Sequence, residues 1–333
     1  MPRVREVDVF RLVLPYGRRP ESILVKLTDH GGMAGWGEVV HPDPKVWSSL
    51  EETLAQILIG VDWETPHDLP ELGTAADMAC WDLATRMTGV PLAHALGGTR
   101  TSLMATVRLP AVRSLQSAVD GVNRFVGAGY AHVTVEIHPG WDVEPLRAIR
   151  AAYPALAITV DARRAYTEIG QLESLAGYDL SGIERPCDDL DLSAELQSRL
   201  SIPVVVEARS LAELDEAVAA RAGRALMLRP SLFGSLAAVK TAHDRARRAG
   251  WDITCADGRG AGLARAATVA VAALPGCTLP SDVTEPPRNA QIVDPPVGAS
   301  GGVVAIPLTQ PGLGHTVDEE RVRRMARDSF ALR

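Results

Sequence analysis

Three acidic residues close three short apolar runs at one repeated spacing. The runs are Ala157-Ile158-Thr159-Val160-Asp161, Leu180-Ser181-Gly182-Ile183-Glu184 and Pro203-Val204-Val205-Val206-Glu207, so the acids recur every 23 residues. That interval fits one strand, one helix and their turns. In a barrel of parallel strands, residues at successive strand ends meet at one mouth. Three carboxylates converging there would offer the oxygen ligands that Mg²⁺ takes. The competing explanation is that each acid caps the helix after its strand. One acid would be a cap more often than a ligand; three in phase favour a site.

The elements needed to position such a site are legible along the chain. Residues 3–14, 20–29 and 33–40 read as an antiparallel meander with a turn at Gly31-Gly32, followed by helices near 46–59 and 71–87. From residue 103 onward the pattern is strand and helix in alternation, with strands near 103–108, 132–138, 156–161, 180–184, 203–207, 224–229, 251–256 and 277–282. Helices fill the gaps, most clearly over 231–250 and 262–273. The fold expected is α/β: a modified TIM barrel, (β/α)7β-like, with an α+β capping domain built from the N-terminal segment and the C-terminal tail. The expected divisions are 1–98 for the N-terminal part of the cap, 99–283 for the barrel and 284–333 for a tail that packs back on the cap.

Composition narrows the function classes. With 333 residues and 46% hydrophobic content the chain can bury a large core. A net charge of −7 and 5% aromatic residues disfavour a nucleic-acid partner. No uncharged stretch is long enough for a membrane span, and the first residues lack the apolar core of a secretion signal. Cys80, Cys187, Cys255 and Cys277 have neither metal-type nor disulfide-type spacing, which reads as reduced cysteines in a cytoplasmic protein. Lysine occurs only at Lys26, Lys45 and Lys240, whereas arginine is abundant.

Motifs in a fixed order carry a resemblance. They are Gly35-Trp36-Gly37-Glu38, Ala79-Cys80-Trp81-Asp82, Val160-Asp161-Ala162, Ile183-Glu184-Arg185-Pro186, Gly262-Leu263-Ala264-Arg265 and Pro311-Gly312-Leu313-Gly314. Together they resemble the enolase superfamily, in its muconate-lactonising branch, and most of all o-succinylbenzoate synthases and N-acylamino-acid racemases. The resemblance runs nearly end to end. It implies Mg²⁺ bound through Asp161, Glu184 and Glu207, no organic cofactor, a small carboxylate substrate and a homo-oligomer. It also implies an enolate steadied after a base removes the proton α to the carboxylate.

The same resemblance exposes departures. Where the family has Lys-x-Lys on the second barrel strand, this chain reads Thr134-Val135-Glu136-Ile137-His138, and the lysine of the sixth strand is replaced by Arg229. The asparagine expected two residues after Asp161 is Arg163, and Glu207 is followed by Ala208-Arg209. Arginine stays protonated, so Arg229 is a poor base, but it could clamp a carboxylate or steady an oxyanion. Strand alternation puts Thr134, Glu136 and His138 on one face. Glu136, His138 and Arg229 are therefore the candidate catalytic groups, and Thr134, Arg163, Asp257 and Arg259 the candidate substrate contacts. A buried Glu136–Arg229 salt bridge, a loop role for His138 and a capping role for Asp257 are the plain alternatives. Arg163, Arg209 and Arg229 near the acids would neutralise them and make Mg²⁺ unnecessary, so the metal remains open at this point. Arg18, Arg19, His41 and Lys45 lie in segments that match the substrate-covering loops. The expected function is a divergent enzyme that eliminates, cyclises or isomerises a carboxylate through an enolate-like state, in specialised biosynthesis. The alternative is a non-catalytic relative that binds a ligand or partner.

Overall fold

The computed structural model describes residues 3–16, 18, 20–42, 47, 59, 73–257, 260–284 and 287–333. Arg19, Lys45, Arg259 and all of the expected 46–59 helix except Trp47 and Ile59 lie outside the described residues. The chain begins with the meander: β1 (Val4–Val13), β2 (Glu21–Asp29) and β3 (Ala34–Val40) pair antiparallel in that order. Helix α1 (Gly73–Thr88) packs against β3 with almost no gap. A Cβ on Gly37 would lie 1.9 Å from the Ala75 carbonyl oxygen, which explains the Gly35-x-Gly37 pattern.

The alternating region forms a ring of parallel strands. These are β4 (Ser102–Leu109), β5 (His132–Glu136), β6 (Ala157–Asp161), β7 (Gly182–Glu184), β8 (Val204–Glu207), β9 (Ala225–Leu228), β10 (Asp252–Cys255) and β11 (Ser281–Asp282). Successive strands from β4 to β10 pair in parallel, and β11 pairs in parallel with β4. A parallel bridge from Ala256 to Asp282 and the bond from Leu279 N to the Ile253 carbonyl, 3.1 Å, close the ring. Seven helical crossovers between eight strands give the (β/α)7β barrel that the alternation predicts. Val133 and Val135 of β5 face the helical layer, whereas His132, Thr134 and Glu136 face inward, as a two-residue period requires.

The last strand of the tail returns to the first unit, while an earlier one joins the barrel. β12 (Val293–Asp294) pairs with β14 (Thr316–Val317), β13 (Val303–Ala305) adds antiparallel to β4, and β15 (Ala326–Leu332) adds to β1 as the edge of the meander. Three buried acids of the N-terminal unit fasten these parts through backbone amides. Glu38 accepts from Ala261 N at 2.5 Å and Ala264 N at 2.9 Å, at the start of helix α2 (Leu263–Val271), and from Ser22 Oγ at 2.6 Å. The residue before α2 is Gly262, which has no side chain to cap it, so Glu38 serves as a cap from another sheet. Asp77 accepts from Leu236 N at 2.6 Å. Asp82 accepts from Trp36 N, Leu313 N and Arg86 Nε at 2.8–2.9 Å. Burial pushes the Asp82 carboxyl up, while Arg86 and the two amides pull it down less strongly.

Candidate functional site

Asp161, Glu184 and Glu207 are the last residues of β6, β7 and β8, and their strands are neighbours in the ring. The capping explanation fails on position. The helices that follow β7 and β8 are capped by Asp189 and Ser210, and the helix after β6 starts behind Glu168, which makes no capping hydrogen bond. The three acids therefore remain at the barrel rim, with Asp161 fully buried and Glu184 4% exposed.

What surrounds them is guanidinium. Arg108, near the end of β4, spreads its three nitrogens over three carboxylates: Nη1 to Asp161 at 2.5 Å, Nη2 to Glu184 at 2.9 Å and Nε to Asp282 at 3.2 Å. Arg185 grips Asp161 with Nε at 3.1 Å and Nη2 at 2.5 Å, and reaches Glu207 with Nη1 at 3.3 Å. Glu207 also accepts from Arg229 at 2.8 Å and Arg164 at 3.0 Å, and Arg164 extends to Asp188 at 2.9 Å. At the centre of this network, four carboxylates (Asp161, Glu184, Glu207, Asp282) face four guanidiniums (Arg108, Arg164, Arg185, Arg229).

The charges perturb one another. Burial drives the Glu184 carboxyl up to about 7, against the pull of Arg108. Burial also pushes Glu207 upward, but the hydrogen bond from Arg229, with the charges of Arg229, Arg185 and Arg164, outweighs it and leaves the carboxyl below its usual range. For Arg108 burial opposes the charge, and Glu184, Asp282 and Asp161 more than restore it.

The other candidate residues are placed as follows. Glu136 ends β5 facing the barrel, one strand from Asp161, and pairs with Arg163 at 3.3 Å. The amide of Arg163 also donates to Asp161 at 3.1 Å. Thr134 is fully buried below the rim, its hydroxyl 3.0 Å from that of Thr106, in a chain that continues through His132 to Thr159. It is thus part of the barrel wall rather than its opening. His138 lies beyond the end of β5, in a turn closed by Trp141, and its Nδ1 is 3.1 Å from the Pro139 carbonyl. Arg229 immediately follows β9, and its Nε is buried with no hydrogen-bond partner among the described residues. Asp257 follows β10 and accepts from Ser231 Oγ at 2.8 Å. Arg209 is exposed, and its amide donates to Glu213 at 2.8 Å. The anticipated Glu136–Arg229 bridge does not form, because each side chain has a nearer partner.

Arg108, Arg164, Arg185 and Asp282 are central here and were not anticipated. Arg185 is the instructive case. It directly follows Glu184, so strand alternation would turn it outward. Its backbone is left-handed instead, φ 49°, which swings the guanidinium back over the mouth. Arg163 at φ 49° and Arg164 at φ 61° make the corresponding turn after β6. Three non-glycine residues in this sparsely populated region, clustered at one rim, are strain held by the ion pairs they make.

The chain belongs to the enolase superfamily: residues 117–321 match the family described as "Enolase C-terminal domain-like". It is similar to an o-succinylbenzoate synthase of Geobacillus kaustophilus, 31% identical with 91% of this chain and 88% of that protein covered. It is likewise similar to an N-succinylamino acid racemase of Amycolatopsis sp, 33% identical, with 93% and 87% covered. Among solved structures, a probable mandelate racemase from Alicyclobacillus acidocaldarius superposes with a TM-score of 0.88 at 28% identity, over 99% of both chains.

A divalent ion is the group this family implies, and the donors can be tested for fit. Mg²⁺ needs carboxylate oxygens about 2.1 Å away and free of competing donors. Here each of the three acids already meets at least one guanidinium, and the nitrogens occupy the space between them. Among the described residues no group of three or more His, Cys, Asp or Glu is arranged to hold a metal ion. In this arrangement the residues do not fit the ion.

Proposed function

We propose that the chain is a divergent enolase-superfamily enzyme that acts on a small carboxylate through an enolate-like state without a lysine pair. The observation that carries this reading is Arg229 at the mouth. Its Nη1 holds Glu207 at 2.8 Å, while Nε remains an unspent donor among the described residues. A guanidinium committed to Glu207 through one nitrogen, with its side chain still 28% exposed, suits a substrate carboxylate, and it can steady negative charge that grows on that group as the α-proton leaves. Glu136 is the best-placed base. It faces the barrel at the end of β5 and is partly exposed, whereas the ring of His138 turns toward Pro139. Arg163, 3.3 Å from Glu136, holds that carboxylate in place at the strand end, where a general base must be positioned. Elimination and isomerisation begin with this proton transfer, and cyclisation by conjugate addition ends with its reverse, protonation of the enolate's α-carbon. The relatives named o-succinylbenzoate synthase and N-succinylamino acid racemase support a carboxylate as the substrate class. Cytoplasmic placement, assembly into a homo-oligomer and the division at residues 98 and 283 are parts of the same proposal.

A second reading is a non-catalytic carboxylate-binding relative, favoured by the pairing of Glu136 with Arg163. One experiment separates the two. The protein is incubated in D₂O with N-succinylamino acids, and α-deuteration is followed by NMR alongside calorimetric binding. Exchange that Glu136→Gln abolishes and His138→Ala leaves intact supports the enzyme. Binding without exchange supports the second reading. The absence of both refutes the site.

A further inference from the structure

We propose that Arg108 and Arg185 are built-in counter-ions that take the electrostatic place of a divalent cation among Asp161, Glu184 and Glu207. The geometry points to a designed replacement rather than incidental surface pairing. Each guanidinium bridges carboxylates from different strands: Arg108 joins β6, β7 and β11, and Arg185 joins β6 and β8. Linking separate ligands at one point is the structural task of a bound metal. The two side chains are 18% and 15% exposed, so both charges are held largely out of water against acids that are 7% exposed or less. A buried acid cluster needs compensating charge from some source. Planar guanidinium, with donors along two edges, can serve two carboxylates at once where lysine would serve as a point charge. The left-handed turn at Arg185 shows that the backbone itself is bent to deliver one of these charges.

Two consequences distinguish this arrangement from an ordinary metal site. The protein as it stands should take up no divalent cation at the rim, and removing both guanidiniums should create a site. The inference does not rest on the proposed reaction, because its readout is metal occupancy and not turnover.

The test uses Mn²⁺ and electron paramagnetic resonance, which reports free ion. With the unaltered protein, the free-ion signal should match buffer at every protein concentration. Arg108→Met/Arg185→Met should bind about one Mn²⁺ per chain, at least roughly tenfold tighter than any uptake by the parent. Glu207→Gln in that background should lose the uptake. If the double variant does not fold in the absence of metal, its circular dichroism is followed during Mn²⁺ titration. Folding driven by the ion supports the inference, and indifference to it counts against it. The milder Arg185→Gln variant provides an independent arm and should show weaker but measurable uptake. Stoichiometric Mn²⁺ binding by the unaltered protein, lost in Glu207→Gln, would overturn the proposal. So would a folded double variant that binds no ion.

Discussion

Replacing Asp161 with Asn removes the carboxylate on which two guanidiniums depend while keeping its size. Asp161 is fully buried and takes contacts at 2.5 Å from Arg108 and at 2.5 and 3.1 Å from Arg185. Deleting one partner of a buried ion pair costs about 3–5 kcal/mol, mostly because the remaining charge is stranded. Arg108 keeps Glu184 and Asp282, but among the described residues Arg185 keeps only the 3.3 Å ion pair to Glu207. The loss should therefore fall near the lower end, about 3 kcal/mol. The assay is urea unfolding at pH 7, with Asp161→Asn, Arg185→Met and the double variant forming a cycle. If the stranded guanidinium is the cause, Arg185→Met will cost less in the Asp161→Asn background, with a coupling on the order of 2 kcal/mol. Glu144→Gln is the control. Its bridge to Arg147 is 59–61% exposed and screened by water, so its removal should leave the unfolding midpoint nearly unchanged. An Asp161→Asn cost below about 1 kcal/mol, with unchanged m-value, would refute the claim that the rim charges depend on one another.

Other perturbations follow from the same geometry. Glu184 sits at about 7 in the folded chain against 4.5 as its ordinary value, so the folded state holds this proton more tightly. Its contribution is full below pH 4.5 and is lost as pH rises through 7, a fall of up to about 3 kcal/mol that Glu184→Gln should remove from the pH profile of urea stability. Glu207, held low, has the opposite sign: its contribution exists above 4.5 and disappears as the pH falls, so Glu207→Gln should flatten the acid limb of the same profile. Glu38→Ala removes the acceptor for Ala261 N, Ala264 N and Ser22 Oγ, and should cost about 3 kcal/mol by thermal or urea unfolding. Gly37→Ala forces a methyl to within 1.9 Å of the Ala75 carbonyl and should cost roughly 3 kcal/mol by the same assays, with β3 and α1 pushed apart.

The barrel was readable in the sequence because its strands end in recognisable ways. Apolar runs of period two stop at acids, and Ser or Asp then opens the next helix, as Asp189 and Ser210 do. The inward faces of Thr134 and Glu136 followed from alternation alone. Alternation misleads where the strand stops: it extends β5 to His138, but β5 ends at Glu136 and the turn to Trp141 redirects the ring. The guanidiniums were hardest to see. In an arginine-rich chain, type alone does not distinguish Arg108 or Arg185 from a solvated surface residue. Arg229 is legible because it occupies a lysine position of the family, and Arg163 because it replaces an asparagine. Arg108 precedes the end of its strand by one residue and contacts acids two and three strands away around the ring. Arg185 reaches the mouth only through a left-handed backbone that no strand pattern announces. The neighbouring rim arginine, Arg209, lines the same cleft as Glu207 but is exposed, and its amide donates to Glu213.

The most direct measurement is an anomalous difference map from crystals grown in Mn²⁺. The account predicts no peak between Asp161, Glu184 and Glu207, with the guanidiniums of Arg108 and Arg185 lying in hydrogen-bond contact with these acids. A strong peak there, coordinated by the three carboxylates with both arginines turned away, would contradict it.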